Sequence, residues 1–156
     1  MTSIGGAAKT AGRERPDAEG APAEGPHPHR RVFIGCEAVV AIGGLAGGIQ
    51  LFTGTATPPV SDLRALGLHS WDLPALWLVA TTAVPASVAG YLAWRRSPFA
   101  PAAVLVASST LLLELLVQIP FIGPSPLQVV FGTLAVTLAV LALRARSAGW
   151  WHRPTR

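Results

Sequence analysis

Glu114 is the residue of this sequence best placed to do chemistry in an unusual environment. It interrupts the leucine-rich run Leu111–Leu116 and precedes Pro120 by about six residues, or about 9 Å at the helical rise of 1.5 Å per residue. An ionised carboxylate in hydrocarbon costs several kcal/mol, so Glu114 must be either protonated or held by polar partners.

Three glutamines are expected at a similar depth. Gln118 follows Glu114 by one helical turn, while Gln50 lies near the end of the first apolar run and Gln128 near the start of the last. We therefore predict an intramembrane polar cluster of Gln50, Glu114, Gln118 and Gln128. A functional carboxylate and a structural network that ties helices together both remain open, since no buried Lys, Arg or His accompanies the cluster.

The other groups able to do chemistry form weaker patterns. His69 and Asp72 make a lone His-x-x-Asp pair, which is more typical of a turn and a helix cap than of a metal site. His27 and His29 stand on a flexible segment and do not close a metal site. We expect Glu37 to be structural, with an arginine reaching it from the membrane surface.

No catalytic or cofactor-binding motif is present. The chain has no phosphate-binding loop, dinucleotide fingerprint, His-Glu-x-x-His or Gly-x-Ser-x-Gly motif. We therefore predict no catalytic residues, no metal and no cofactor. The net charge of +4 does not indicate a nucleic-acid partner, because the basic residues flank apolar segments and form no stripe interleaved with aromatics.

The elements that must position Glu114 are apolar runs long enough to cross a bilayer. Hydrophobic residues make up 51% of the chain and charged residues only 13%, where a soluble domain carries about 25%. Spanning helices need about 20 mostly apolar residues. We predict an all-α, four-helix transmembrane bundle over residues 32–144, with helices at 32–52, 73–94, 98–119 and 126–144. Residues 1–31 are predicted to be a disordered tail, and residues 145–156 a basic aromatic tail.

Basic residues predict the orientation of this bundle. With four spans, eleven of the twelve Lys and Arg residues fall on one side, and only Arg64 falls on the other. Cytoplasmic loops carry the excess of Lys and Arg. Both termini and the Arg95–Arg96 turn are therefore predicted to be cytoplasmic, which makes the chain a multi-pass protein of the cell membrane.

Glycines in the first run form a helix-packing surface. Gly43 and Gly47, and likewise Gly44 and Gly48, are spaced four residues apart, as in helices that approach each other closely in lipid. Packing within the bundle is the favoured interpretation, and pairing with a second copy of the chain is the alternative.

The chain resembles a group of small bacterial four-span membrane proteins over about residues 36–143. The resemblance rests on GGIQLFTG at the end of the first run, on LHSWDLPAL, on the short arginine turn, and on a Gln-x-x-x-x-Gly…Ser-x-Leu-Gln pattern from Gln118 to Gln128. It implies the four-span fold but supplies no activity. A looser likeness to membrane proteins of the DoxX type is one of fold only.

The sequence thus favours a non-enzymatic accessory or assembly protein of the bacterial inner membrane. Its partners are expected to be the lipid bilayer and either another membrane protein or a second copy of itself. The first alternative is a small transporter or proton-linked carrier that uses Glu114. The second is a membrane-embedded enzyme with a site at His69, Asp72 and Glu114.

Overall fold

The structure, a computed structural model, describes residues 29–55 and 57–149, apart from the side chains of Ala65 and Ile122. In this part of the chain all regular structure is helical. Four helices are long and apolar enough to cross a membrane, with mean hydropathies between 1.5 and 2.1. These helices are α1 (Arg30–Thr53), α2 (Asp72–Trp94), α3 (Ala100–Ile122) and α4 (Pro126–Ser147). The prediction of an all-α, four-helix transmembrane bundle is confirmed.

The two ends of the bundle differ in charge. One end, here called the arginine end, contains the start of α1, the turn at Arg95 and Arg96, and the end of α4 with Arg144 and Arg146. The other, here called the loop end, contains a 3₁₀ helix, Val60–Leu66, named the loop helix, and the turn between α3 and α4. The predicted tails lie largely outside the described residues.

Helix boundaries differ from the predicted ones by a few residues. α3 continues through Pro120 to Ile122 and ends at Gly123, whose φ of 75° is readily adopted by glycine. Pro120 has no N–H to donate to the carbonyl of Leu116, so the last turn lacks one helical hydrogen bond. α4 continues to Ser147 and buries Ala145, so residues 145–147 belong to the helix and not to the tail.

Ser125 caps the start of α4. Ser125 Oγ accepts a hydrogen bond from the backbone N–H of Gln128, and the Gln128 side chain accepts one from the backbone N–H of Ser125. This reciprocal capping box satisfies two backbone donors that would otherwise be unpaired. Pro126 follows at the first helical position, where its missing N–H costs nothing.

Pro85 is accompanied by an irregular segment in α2. The helix is α-helical over Asp72–Leu78, π-helical over Val79–Ala83 and α-helical again over Val84–Trp94. Pro85 has no N–H to donate to the carbonyl of Thr81, and a wider turn directly before it accommodates that gap. This turn changes which residues of α2 face α3.

The core is built largely from alanine. At the arginine end Phe33 and Leu138 are fully buried among small residues of α2, α3 and α4. Small residues let helix backbones approach where lipid removes the hydrophobic driving force between helices. α1 packs along α2, α2 along α3 and α3 along α4, whereas α1 and α4 make few contacts in the described part of the chain.

The four glycines of the predicted packing surface, Gly43, Gly44, Gly47 and Gly48, face the neighbours of α1 in the bundle. A Cβ atom at Gly44 would lie 3.0 Å from Thr82 Cγ2 and 3.1 Å from the backbone nitrogen of Ala83. Cβ atoms at Gly47 and Gly48 would also meet α2, while one at Gly43 would lie 3.0 Å from the Phe131 ring of α4. The glycine surface is therefore occupied by α2 and α4 of the same chain.

Candidate functional site

Glu114 is buried in the bundle and accepts hydrogen bonds from three side chains. It is 7% exposed. Its Oε2 accepts a bond from the indole N–H of Trp77 at 2.8 Å and lies 3.2 Å from Thr81 Oγ1. Its Oε1 accepts a bond from the amide nitrogen of Gln118 at 3.2 Å. All three donors are neutral, so they satisfy the carboxylate oxygens without neutralising a charge.

The irregular turn of α2 presents two of these donors. Trp77 precedes the π-helical segment and Thr81 lies within it, so both residues reach the same carboxylate oxygen. Thr81 Oγ1 also donates to the backbone carbonyl of Trp77 at 2.8 Å. A hydroxyl has one proton for these two acceptors, so Thr81 ties the carboxyl group to the α2 backbone at the point where the helix widens.

The four predicted polar residues do not form one hydrogen-bonded cluster. Of the three predicted glutamines, only Gln118 donates a hydrogen bond to Glu114. The Gln128 side-chain oxygen is used in the α4 capping box, and Gln50 is exposed near the end of α1. The prediction rested on the similar depth of these residues, whereas the rotation of each helix about its axis decides which side chains meet.

All four residues nevertheless line one cavity of about 340 Å³, here called the polar cavity. Its walls come from α1, α2, α3 and α4, and Gly43, Gly44 and Gly47 form the α1 side. It reaches the loop end at Gln50 and Ser125. A cavity of this size lies within the range of about 300–1,000 Å³ that is typical of small-molecule sites.

A second cavity of about 280 Å³, here called the apolar cavity, lies on the other side of Glu114. It is bounded by α2, α3 and the loop region, where Leu63 is 2% exposed and Trp71 donates its indole N–H to the carbonyl of Pro58 at 3.0 Å. Its walls are leucines and aromatic rings. Glu114 and Gln118 line both cavities, so these two residues stand at their common boundary.

The face of α3 that carries Glu114 points into the bundle. Ala107 is buried on this face, whereas Leu113 and Leu116 are about 60% exposed, as expected for a helix with one face toward its neighbours. Three other leucines of this run are not exposed: Leu111 is buried and lines the polar cavity, and Leu112 and Leu115 are partly buried against the core.

Nearer the arginine end, three buried polar oxygens have no hydrogen-bond partner among the described residues. They are Glu37 Oε1, Thr82 Oγ1 and Ser108 Oγ, on α1, α2 and α3 respectively. The arginine expected at Glu37 therefore does not reach its Oε1. Arg30 instead donates to the carbonyls of Ala93 and Trp94 at 3.1 and 2.9 Å, and so caps the end of α2.

His69 and Asp72 are both exposed, away from the buried carboxyl group. Asp72 begins α2, and its Oδ2 accepts a hydrogen bond from Ser70 Oγ at 2.9 Å. Within residues 29–55 and 57–149, no group of three or more His, Cys, Asp or Glu side chains is arranged to hold a metal ion. His27 lies outside the described residues.

Trp77 and Thr81 are the site residues that sequence reasoning missed. Trp77 looks like an interfacial anchor, and its ring is indeed 56% exposed while its N–H points to Glu114. The spacing of four residues between Trp77 and Thr81 on one helix face, at the depth of Glu114, is the signal that could have found them.

Comparison with protein-family models, curated proteins and solved structures finds no match.

Proposed function

We propose that this multi-pass membrane protein is a non-enzymatic accessory protein of the bacterial inner membrane, and that its working part is the polar cavity. The observation that carries the proposal is the position of Glu114, a buried acid at the wall of a cavity that also contains Gln50, Gln118 and Gln128. Acceptor and donor groups that converge in an otherwise apolar cavity are typical of a ligand site.

The direction in which the cavity opens follows from charge. The arginine excess at one end supports a cytoplasmic position for that end and for both termini, with the loop end on the outer side. A hydrogen-bonding ligand then enters the polar cavity from the outer side, between Gln50 and Ser125. Binding requires no bond to be made or broken, in keeping with the lack of a catalytic motif in the sequence.

Cysteine reactivity in intact cells tests both the cavity and its orientation. In a Cys36→Ser background, Gln118→Cys places a thiol in the polar cavity, and Leu116→Cys places one about 3 Å deeper on the exposed side of α3. We expect a membrane-impermeant thiol reagent added outside to modify the first variant much faster than the second. Equal rates at both positions would refute the proposed cavity, and faster reaction only in inverted vesicles would refute the orientation.

A proton-linked carrier is the second candidate, favoured by the unpartnered buried oxygens. Thr82 lines the polar cavity, and Glu37 and Ser108 continue buried polar groups toward the arginine end. Intramembrane acids of this kind are found in proton relays. This candidate predicts that proteoliposomes dissipate a pH gradient and that Glu37→Gln and Glu114→Gln each abolish the flux. Gradients that decay at the same rate with and without the protein would exclude it.

A further inference from the structure

We infer that the ligand of this site is an amphiphile with an ammonium head and an aliphatic tail, the head bound at Glu114 and the tail in the apolar cavity. The inference rests on the proposed function and names the class of ligand. It is carried by the shared boundary of the two cavities. The polar cavity adds Gln50, Ser125 and Gln128 to largely apolar walls, the apolar cavity is lined mainly by leucines and aromatic rings, and Glu114 lines both.

The hydrogen bonds of Glu114 leave room for one more donor. A carboxylate offers about four acceptor sites, two on each oxygen. Trp77 and Thr81 both approach Oε2, whereas only Gln118 approaches Oε1. The free site on Oε1 therefore accepts an N–H from a ligand. The side-chain oxygen of Gln118 is a second acceptor, because its amide nitrogen makes the bond to Glu114.

Charge selects the kind of donor. Glu114 is buried, and Trp77, Thr81 and Gln118 carry no charge that offsets its own when it is ionised. An ammonium group brings three N–H donors and the opposite charge, whereas a hydroxyl brings one donor and no charge.

The apolar cavity selects a tail. Leu63, Leu66 and Leu73 line it together with Val117 and Phe121, and the loop helix contributes the first two. Water gains few hydrogen bonds from such walls. An alkyl chain that leaves water gains up to about 0.8 kcal/mol per buried CH₂ group, or about a fourfold gain in affinity, and it gains less when it leaves a micelle or bilayer. A headgroup alone leaves this cavity unused, so affinity must rise with chain length.

The test compares four probes on the full-length protein in non-ionic detergent, with the bound fraction measured by native mass spectrometry. Dodecylamine carries both features, butylamine lacks the long tail, dodecan-1-ol lacks the charge and dodecanoate reverses it. We expect dodecylamine to saturate at one molecule per chain and the other three to bind about tenfold or more weakly. Butylamine or dodecan-1-ol binding as tightly as dodecylamine would overturn the inference.

Matched variants locate the two parts of the probe. Glu114→Gln keeps the shape of the side chain, and Asp62→Asn makes the same change on an exposed acid at the same end of the bundle. Val117→Trp fills the apolar cavity, and Val129→Trp adds the same bulk on an exposed face of α4. We expect the first member of each pair to weaken dodecylamine binding about tenfold or more and the second to leave it unchanged.

The outcomes separate this inference from the function on which it rests. If Glu114→Gln and Asp62→Asn bind dodecylamine with equal affinity, the assigned position of the head is refuted. If Val117→Trp and Val129→Trp bind it with equal affinity, the assigned position of the tail is refuted. If the Gln118→Cys thiol reacts rapidly from outside but no amine binds, the polar cavity stands and the ammonium amphiphile is refuted. If that thiol does not react, the proposed function fails whatever the probes do.

Discussion

Gly44 sets the distance between α1 and α2, and its replacement by alanine gives the sharpest test of the packing. An alanine Cβ would stand 3.1 Å from the backbone nitrogen of Ala83 and 3.0 Å from Thr82 Cγ2. A backbone atom cannot turn aside as a long side chain can, so α2 itself has to shift. The contact lies in the π-helical segment that also carries Thr81, and Gly44 lines the polar cavity.

The magnitude follows from a comparison with Gly35, which lies on the same helix and has open space around its Cβ position. Exchanging glycine for alanine inside a helix gains about 0.5–1 kcal/mol from backbone entropy, and this gain is common to both positions. Overpacking at a close contact costs about 1–3 kcal/mol and applies only to Gly44. We therefore expect Gly44→Ala to be less stable than Gly35→Ala by about 1–3 kcal/mol.

Unfolding in mixed micelles with increasing mole fraction of dodecyl sulfate, followed by circular dichroism, measures this difference directly. The two variants differ from the natural chain by the same methyl group, so detergent binding by the unfolded chain is matched. Equal free energies of unfolding for Gly44→Ala and Gly35→Ala would refute the close approach of α1 to α2. A more stable Gly44→Ala variant would do so as well.

Three further variants test the site and its supports. Trp77→Phe removes the indole N–H from Glu114 and should lower the free energy of unfolding by about 1 kcal/mol. Trp77→Tyr keeps a polar hydrogen at the ring edge and serves as the comparison in the same unfolding assay. Arg30→Gln should destabilise the end of α2 by about 1–2 kcal/mol, which amide hydrogen exchange measures as faster exchange in that turn. Arg31→Gln changes an exposed arginine and should leave the exchange rates there unchanged. Ser125→Ala breaks the α4 capping box and should cost about 1 kcal/mol, which Ser125→Asp should largely restore; no loss in the alanine variant would contradict the cap.

The sequence by itself determined the number of helices and their approximate extent. Lipid offers no hydrogen bonds to the backbone, so each apolar run of about 20 residues has one stable form, and proline and serine mark where it starts. Depth follows from counting residues along a helix of fixed rise. For this reason the sequence alone predicted that Gln50, Glu114 and Gln128 lie at a similar height along the bundle, and the three residues line one cavity.

The tertiary structure alone decided which of these groups touch. Contact depends on rotation about each helix axis, and no periodic pattern fixes this angle for α2, whose regular turn is widened beside Pro85. That turn brings Trp77 and Thr81 to Glu114, while the Gln128 side chain is used in the cap at the start of α4. The sequence therefore determined that a buried acid must be held at this depth, and packing determined what holds it, because a helix's rise is local and its rotation is set by its neighbours.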